Sequence, residues 1–119
     1  MNLTKLIRSF KCAGNGLLAM VKKERNIKIE LSIGLIVLIS AILFKFSLGD
    51  FLLIIMLFFL IPGLEIVNSL VEEMANLLNL PNERTTFLRD LSAGLVLWFT
   101  FMAVIIGIVI FTKYLTIYF

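Results

Sequence analysis

Residues 91–112 read LSAGLVLWFTFMAVIIGIVIFT, 22 residues without one charged side chain. At about 1.5 Å per helical residue the run covers roughly 33 Å, enough to cross the hydrocarbon layer of a bilayer. Two further uncharged stretches lie upstream, residues 51–64 and 31–44. The second of these is short for a span. Lys45 can snorkel to the far interface, and Ile27 and Ile29 can lengthen the near end. The whole composition agrees: 61% of the 119 residues are hydrophobic, and mean hydropathy is +1.06, whereas soluble domains are apolar over only about half their length.

These runs predict an all-α membrane protein with three transmembrane helices behind an N-terminal amphipathic surface helix. As one domain over 1–119, it divides into a surface helix and linker at 1–28 and membrane helices at 29–46, 51–79 and 83–118. Leu3, Leu6, Ile7, Phe10, Gly14, Leu17, Leu18 and Val21 recur at spacings of three and four, the stripe of a helix lying in the interface plane. The basic N-terminal region is long and amphipathic, unlike a cleavable signal. Ser47, Leu48, Gly49 and Asp50 predict a tight turn, with a helix beginning near Phe51. Pro62, followed by Gly63, predicts a kink. Asn82, Thr85 or Thr86 is available to cap the last helix.

Seven basic residues precede the first span and two, Arg84 and Arg89, lie between the second and third. Only Lys45 and Lys113 stand at the opposite ends. That bias predicts a cytoplasmic N-terminus. The positive balance therefore reads as an orientation signal and a lipid contact, and no soluble basic groove exists to hold nucleic acid. Cys12 is the single cysteine, and histidine is absent. Internal disulfides, imidazole ligands and histidine-based triads are excluded, leaving carboxylates for acid–base or metal chemistry, with lysine the less favoured base.

The polar residues that do not belong in lipid are the informative ones. Glu65, Asn68, Glu72 and Asn76 fall at i, i+3, i+7 and i+11 and share one helical face. A carboxylate at membrane depth costs several kcal/mol unless paired or hydrated, so its default reading is functional. An interhelical hydrogen-bond cluster is the alternative, strongest for Asn68. Arg89 and Asp90 lie at the same level, followed by small residues Ser92, Ala93 and Gly94 that allow close helix approach. Glu24 completes a ring of acids at one depth. In the linker KKERNIKIE (22–30) most charges are expected to be solvated or paired with headgroups. Acidic oxygen ligands without His or Cys suit Mg²⁺, which usually arrives with phosphates and water. No common nucleotide-binding glycine loop is present.

Three segments, KKERNIKIE (22–30), LEIVNSLVEE (64–73) and LRDLSAG (88–94), resemble the small prokaryotic membrane lipid kinases, the diacylglycerol and undecaprenol kinases. The most specific element is E-x-x-N-S-x-x-E, here Glu65, Asn68, Ser69 and Glu72, and the similarity covers nearly the whole chain. The resemblance implies a homotrimer in the bacterial plasma (inner) membrane, with active sites near the cytoplasmic face between subunits. It implies ATP as co-substrate and Mg²⁺ as cofactor. By position, Glu65 corresponds to the catalytic base, and Glu65 with Asn68 to the lipid-substrate site. Glu24 and Glu72 correspond to the metal-binding carboxylates. Lys5, Cys12, Glu24, Glu72, Asn82, Arg89 and Asp90 correspond to ATP contacts. The chain departs from the family where Arg89 replaces a lysine and Asn76 an acid, and its loop before Asp90 is shortened.

The leading expectation is thus an ATP- and Mg²⁺-dependent lipid kinase acting on the hydroxyl of diacylglycerol or undecaprenol at the cytoplasmic interface. A membrane transporter or proton-relay subunit using Glu65 and Glu72 is the alternative, with a structural subunit third. The acids gather at one face instead of crossing the membrane, which favours the kinase.

Overall fold

The computed structural model describes residues 2–78 and 83–119, and the described chain is helical almost throughout. In order, α1 is Leu3–Lys23, α2 Arg25–Leu43, α3 Leu48–Leu78 and α4 Glu83–Tyr118. Helices α2, α3 and α4 are each long and apolar enough to cross a membrane. Asn2 caps α1, its Oδ1 accepting from the Thr4 N–H at 3.2 Å. No residue of α1 is buried, and Leu3, Leu6, Ile7, Phe10, Leu17 and Leu18 are exposed along it. An apolar stripe left open in this way is what a helix resting on a bilayer needs.

The structure shortens the expected linker to one residue. Glu24, at φ −94° and ψ 117°, closes α1 through its N–H to the Met20 carbonyl (2.9 Å) and α2 begins at Arg25. Packing accounts for the difference: Ile27 in the first turn of α2 is only 1% exposed, so burying it favours helix over solvated chain. Ile27, Glu30, Gly34, Val37 and Ala41 then follow at helical spacing and form the inward face of α2. At Gly34 the backbone approaches α3 so closely that a Cβ would lie 2.7 Å from Phe58 Cε2.

Helix α2 ends at Leu43, and the turn to α3 falls three residues earlier than its sequence suggests. The Phe46 N–H bonds the Ala41 carbonyl (3.0 Å) and the Lys45 N–H the Ile42 carbonyl (3.2 Å), with Lys45 at φ 54°. This is the double bond pattern of a Schellman closure, in which a left-handed residue ends a helix. Ser47 then caps α3, its Oγ accepting from the Asp50 N–H at 3.3 Å, so residues 48–50 are helix and not turn. Helix α3 runs unbroken through the buried Pro62 for 31 residues, about 46 Å, and therefore continues well beyond the hydrocarbon. Helix α4 has 36 residues starting at Glu83, which puts Thr85 and Thr86 inside its first turn. Asn82 lies outside the described residues.

A polar clasp joins α3 to α4 at the end remote from α1. Asp50 Oδ2 accepts from the Tyr114 hydroxyl (2.8 Å) and from Lys113 Nζ (3.1 Å), while the Ser47 N–H donates to the same Tyr114 oxygen (2.6 Å). Phe46 stacks on the Tyr114 ring at 4.2 Å, above a core of Ile54, Ile110 and Tyr114. Much of the remaining apolar surface is open, including Leu35, Ile36, Leu97, Trp98 and Phe101. A chain with so small an apolar core needs lipid or further copies around its spans.

Candidate active site

The site begins at the level of α3 that the sequence singled out. From Leu48 to Glu65 is 17 residues, about 26 Å along the axis, which puts Glu65 near the far boundary of a hydrocarbon layer entered at Leu48. Glu65 is 5% exposed, and the Asn26 amide on α2 lies 3.4 Å from its Oε1. One helical turn on, Asn68 is also buried, its Oδ1 accepting the Ser92 hydroxyl of α4 at 2.7 Å. The expected close approach of α4 is therefore made by Ser92. Ala93 is exposed, and a Cβ on Gly94 would meet nothing within 4 Å.

The same face then leaves the bundle. Glu72 and Asn76 are exposed, two and three turns beyond Glu65. Asn76 Oδ1 accepts from Arg89 Nη2 at 2.8 Å. Arg89 thus joins α4 to α3 through the Asn76 amide oxygen. A guanidinium satisfies a neutral oxygen through a directed N–H, a geometry that suits arginine better than lysine. Asp90 is exposed beside it, and Lys5 and Cys12 are exposed on α1.

Glu24 stands at the α1–α2 break, partly exposed and with no capping bond from its side chain. Its neighbour Lys23 bonds Glu73 on α3, and Glu24 and Glu72 both lie within electrostatic reach of the Lys23 ammonium. The hydrogen bond to Glu73, then its charge, holds that ammonium above the ordinary lysine range, with Glu24 and Glu72 adding to the effect. The ring of acids read from the sequence does not close on itself: among the described residues no three acidic or cysteine side chains form a metal-holding group. Glu24 and Glu72 both carry carboxylate oxygens that act electrostatically on the one Lys23 ammonium, so positive charge is favoured near them.

Glu30 is the residue that the sequence reading missed. Most charges of its segment are expected to be solvated or paired with headgroups, but its Oε2 is buried without a hydrogen-bond partner among the described residues and its carboxyl lies against that of Glu65. The available signal was spacing, since Glu30 follows Ile27 by three and precedes Gly34 by four on the packed face of α2. Two ionised carboxylates are acceptors only, so their contact calls for a shared proton or for an outside donor between them. Glu30 also ends an apolar cavity of about 530 Å³ between α2, α3 and α4. Pro62 and Thr100 line it at the Glu30 end, and Ile54 and Phe111 at the other.

Comparison with known proteins gives two matches. Residues 11–111 fit the family model described as prokaryotic diacylglycerol kinase. Over 110 residues, 92% of this chain and 89% of the relative, the sequence is 28% identical to undecaprenol kinase from Bacillus subtilis (strain 168). No solved structure matches the chain.

Proposed function

The chain belongs to the prokaryotic diacylglycerol kinase family, and from that premise we propose that it transfers the γ-phosphoryl group of ATP to the hydroxyl of a membrane lipid at the cytoplasmic interface. The observation that carries this reading is the buried, unpartnered Glu30 oxygen beside Glu65 at the polar end of an apolar cavity. A carboxyl pair there is satisfied by a shared proton or by an outside donor, and a lipid hydroxyl is a donor whose hydrocarbon chain can occupy the cavity below. Glu65 takes the hydroxyl proton while the lipid oxygen forms its bond to the γ-phosphorus and the bond to ADP breaks. Asn68, fixed by Ser92, borders the acceptor.

The nucleotide approaches from water, where Lys5, Cys12, Arg89 and Asp90 are accessible; Asn82 is assigned to the same side by its position in the chain. Glu24 and Glu72 are the residues to hold Mg²⁺. Their donor set fits an ion that completes its shell with phosphates and water, and its chemistry would be neutralisation of phosphate charge. Catalysis is then chiefly positioning and electrostatics. Active sites completed between copies of a homotrimer would use the apolar surface that one chain leaves open. The orientation follows from the basic residues, with the N-terminus in the cytoplasm. Between the two acceptors, the name of the relative favours undecaprenol over diacylglycerol.

Purified protein in vesicles with labelled ATP, Mg²⁺ and either lipid is the direct test. Phosphorylated lipid without proton flux is expected. Proton flux that disappears in Glu65→Gln, with neither lipid phosphorylated, would return the chain to the proton-relay reading.

A further inference from the structure

The bond between Lys23 and Glu73 joins residues 50 apart in sequence, on α1 and α3. Each partner is the immediate neighbour of a candidate metal carboxylate: Lys23 precedes Glu24, and Glu73 follows Glu72. Glu24 is also the one residue between two helices, so its direction depends on how α1 is held relative to α2. Among the described residues its side chain makes no cap bond that would fix it. On the α1 side the link across to α3 is the Lys23 ammonium, which bonds Glu73 and reaches both Glu24 and Glu72 electrostatically.

We propose that the Lys23–Glu73 pair is a strap that seats Glu24 opposite Glu72, making both residues positioning residues for the metal–nucleotide complex. The proposal rests on the kinase reading given above. The strap works by geometry more than by charge. A hinge of one residue offers two main dihedrals, and tying the residue before it to α3 removes the swing of α1 that would carry Glu24 away. The two carboxylates are then brought near each other before the cation arrives, so less ordering remains to be done on binding.

The competing account is electrostatic: Lys23 is a resident counter-ion that Mg²⁺ must displace. The two accounts differ in sign. If only charge matters, Lys23→Gln removes a competing cation and tightens metal binding, whereas Glu73→Gln removes an attracting anion and weakens it. A strap is broken by either change, so both variants weaken binding in the same direction. The pair is exposed, with side chains 59% and 49% accessible, and such pairs change an equilibrium constant by roughly fivefold at most.

The test measures Mn²⁺ bound in the presence of a non-hydrolysable ATP analogue, by the loss of the free-ion paramagnetic resonance signal, beside the Mg²⁺ half-saturation of lipid phosphorylation. Lys23→Gln and Glu73→Gln are each expected to raise both midpoints about two- to fivefold, with turnover at saturating Mg²⁺ retained. The exchanged variant Lys23→Glu/Glu73→Lys, which restores the pair in reverse, is expected to recover at least half of that loss. Opposite shifts in the two single variants, or no recovery in the exchange, would overturn the strap while leaving the kinase reading intact. A wild-type protein that binds no Mn²⁺–nucleotide and phosphorylates no lipid would remove both.

Discussion

Ser92 on α4 donates its hydroxyl to Asn68 on α3 at 2.7 Å, and both residues are buried. The bond ties the third span to the second within one turn of Glu65. Interhelical polar bonds in membranes average only about 0.6 kcal/mol and reach about 1.7. Here the hydroxyl has an alternative acceptor in the Arg89 carbonyl at 3.0 Å, which lowers the penalty for losing Asn68. A double-mutant cycle of Ser92→Ala and Asn68→Ala, read by detergent-induced unfolding, should therefore give a coupling of about 0.5 to 1 kcal/mol. A coupling of zero would mean that the two side chains do not share this bond in the membrane.

Glu65→Gln keeps shape and the approach of Asn26 but cannot accept a proton. Turnover should fall by about 10² to 10⁴, the usual contribution of a general base. The variant should unfold at the wild-type detergent concentration and still bind nucleotide. Near-normal turnover would take Glu65 out of that role.

Glu24→Ala and Glu72→Ala each remove a hard oxygen donor from the proposed metal site. The Mg²⁺ concentration giving half-maximal activity should rise steeply in both. Wild-type Mg²⁺ dependence in either variant would refute the carboxylate pair.

Glu30→Gln places an amide donor against Glu65, where the lipid hydroxyl is proposed to bind. The amide satisfies the base in the substrate's place, so KM for the lipid should rise about tenfold, one hydrogen bond's worth to a charged group, while KM for ATP stays at its wild-type value. Equal changes in both constants would show that Glu30 supports the fold and not the acceptor.

Tyr114→Phe removes the hydroxyl that bridges Asp50 and the Ser47 N–H at the remote end. The Ser47 N–H loses its partner while the Asp50 carboxylate keeps Lys113, so the clasp is weakened but not abolished. Thermal stability in detergent should drop accordingly, with KM for ATP unchanged because the clasp is at the opposite end from the proposed nucleotide site.

How far these features can be read from sequence depends on their range. The spans, the surface helix and the face carrying Glu65 and Asn68 are local patterns, set by charge-free length and by spacing along one helix. Glu72 and Asn76 share that spacing but are exposed, because α3 outlasts the bundle, and periodicity alone does not say where a neighbour ends. Glu30 was hidden by the company of Lys28 and Arg25, which made its segment look solvated. Burial of Ile27 turns that segment into helix and points the carboxyl inward. Pairings such as Lys23 with Glu73 and Asp50 with Tyr114 join residues 50 and 64 apart, and no single-chain pattern encodes which distant partner is met. The one-residue break at Glu24 escaped for a different reason: neither glycine nor proline marks it.

The approach of Gly34 to Phe58 sets the mutational tolerance of α2. Its outward positions, Leu35, Ile36 and Ile39, face the surroundings and accept any apolar residue of helical habit. Gly34 does not, because even a methyl group must push the Phe58 ring out of place, and that ring also lines the cavity beneath Glu30. On a map of every possible substitution, the row at Gly34 would therefore be blank, since a side chain of any size there narrows the room left for an acceptor's tail.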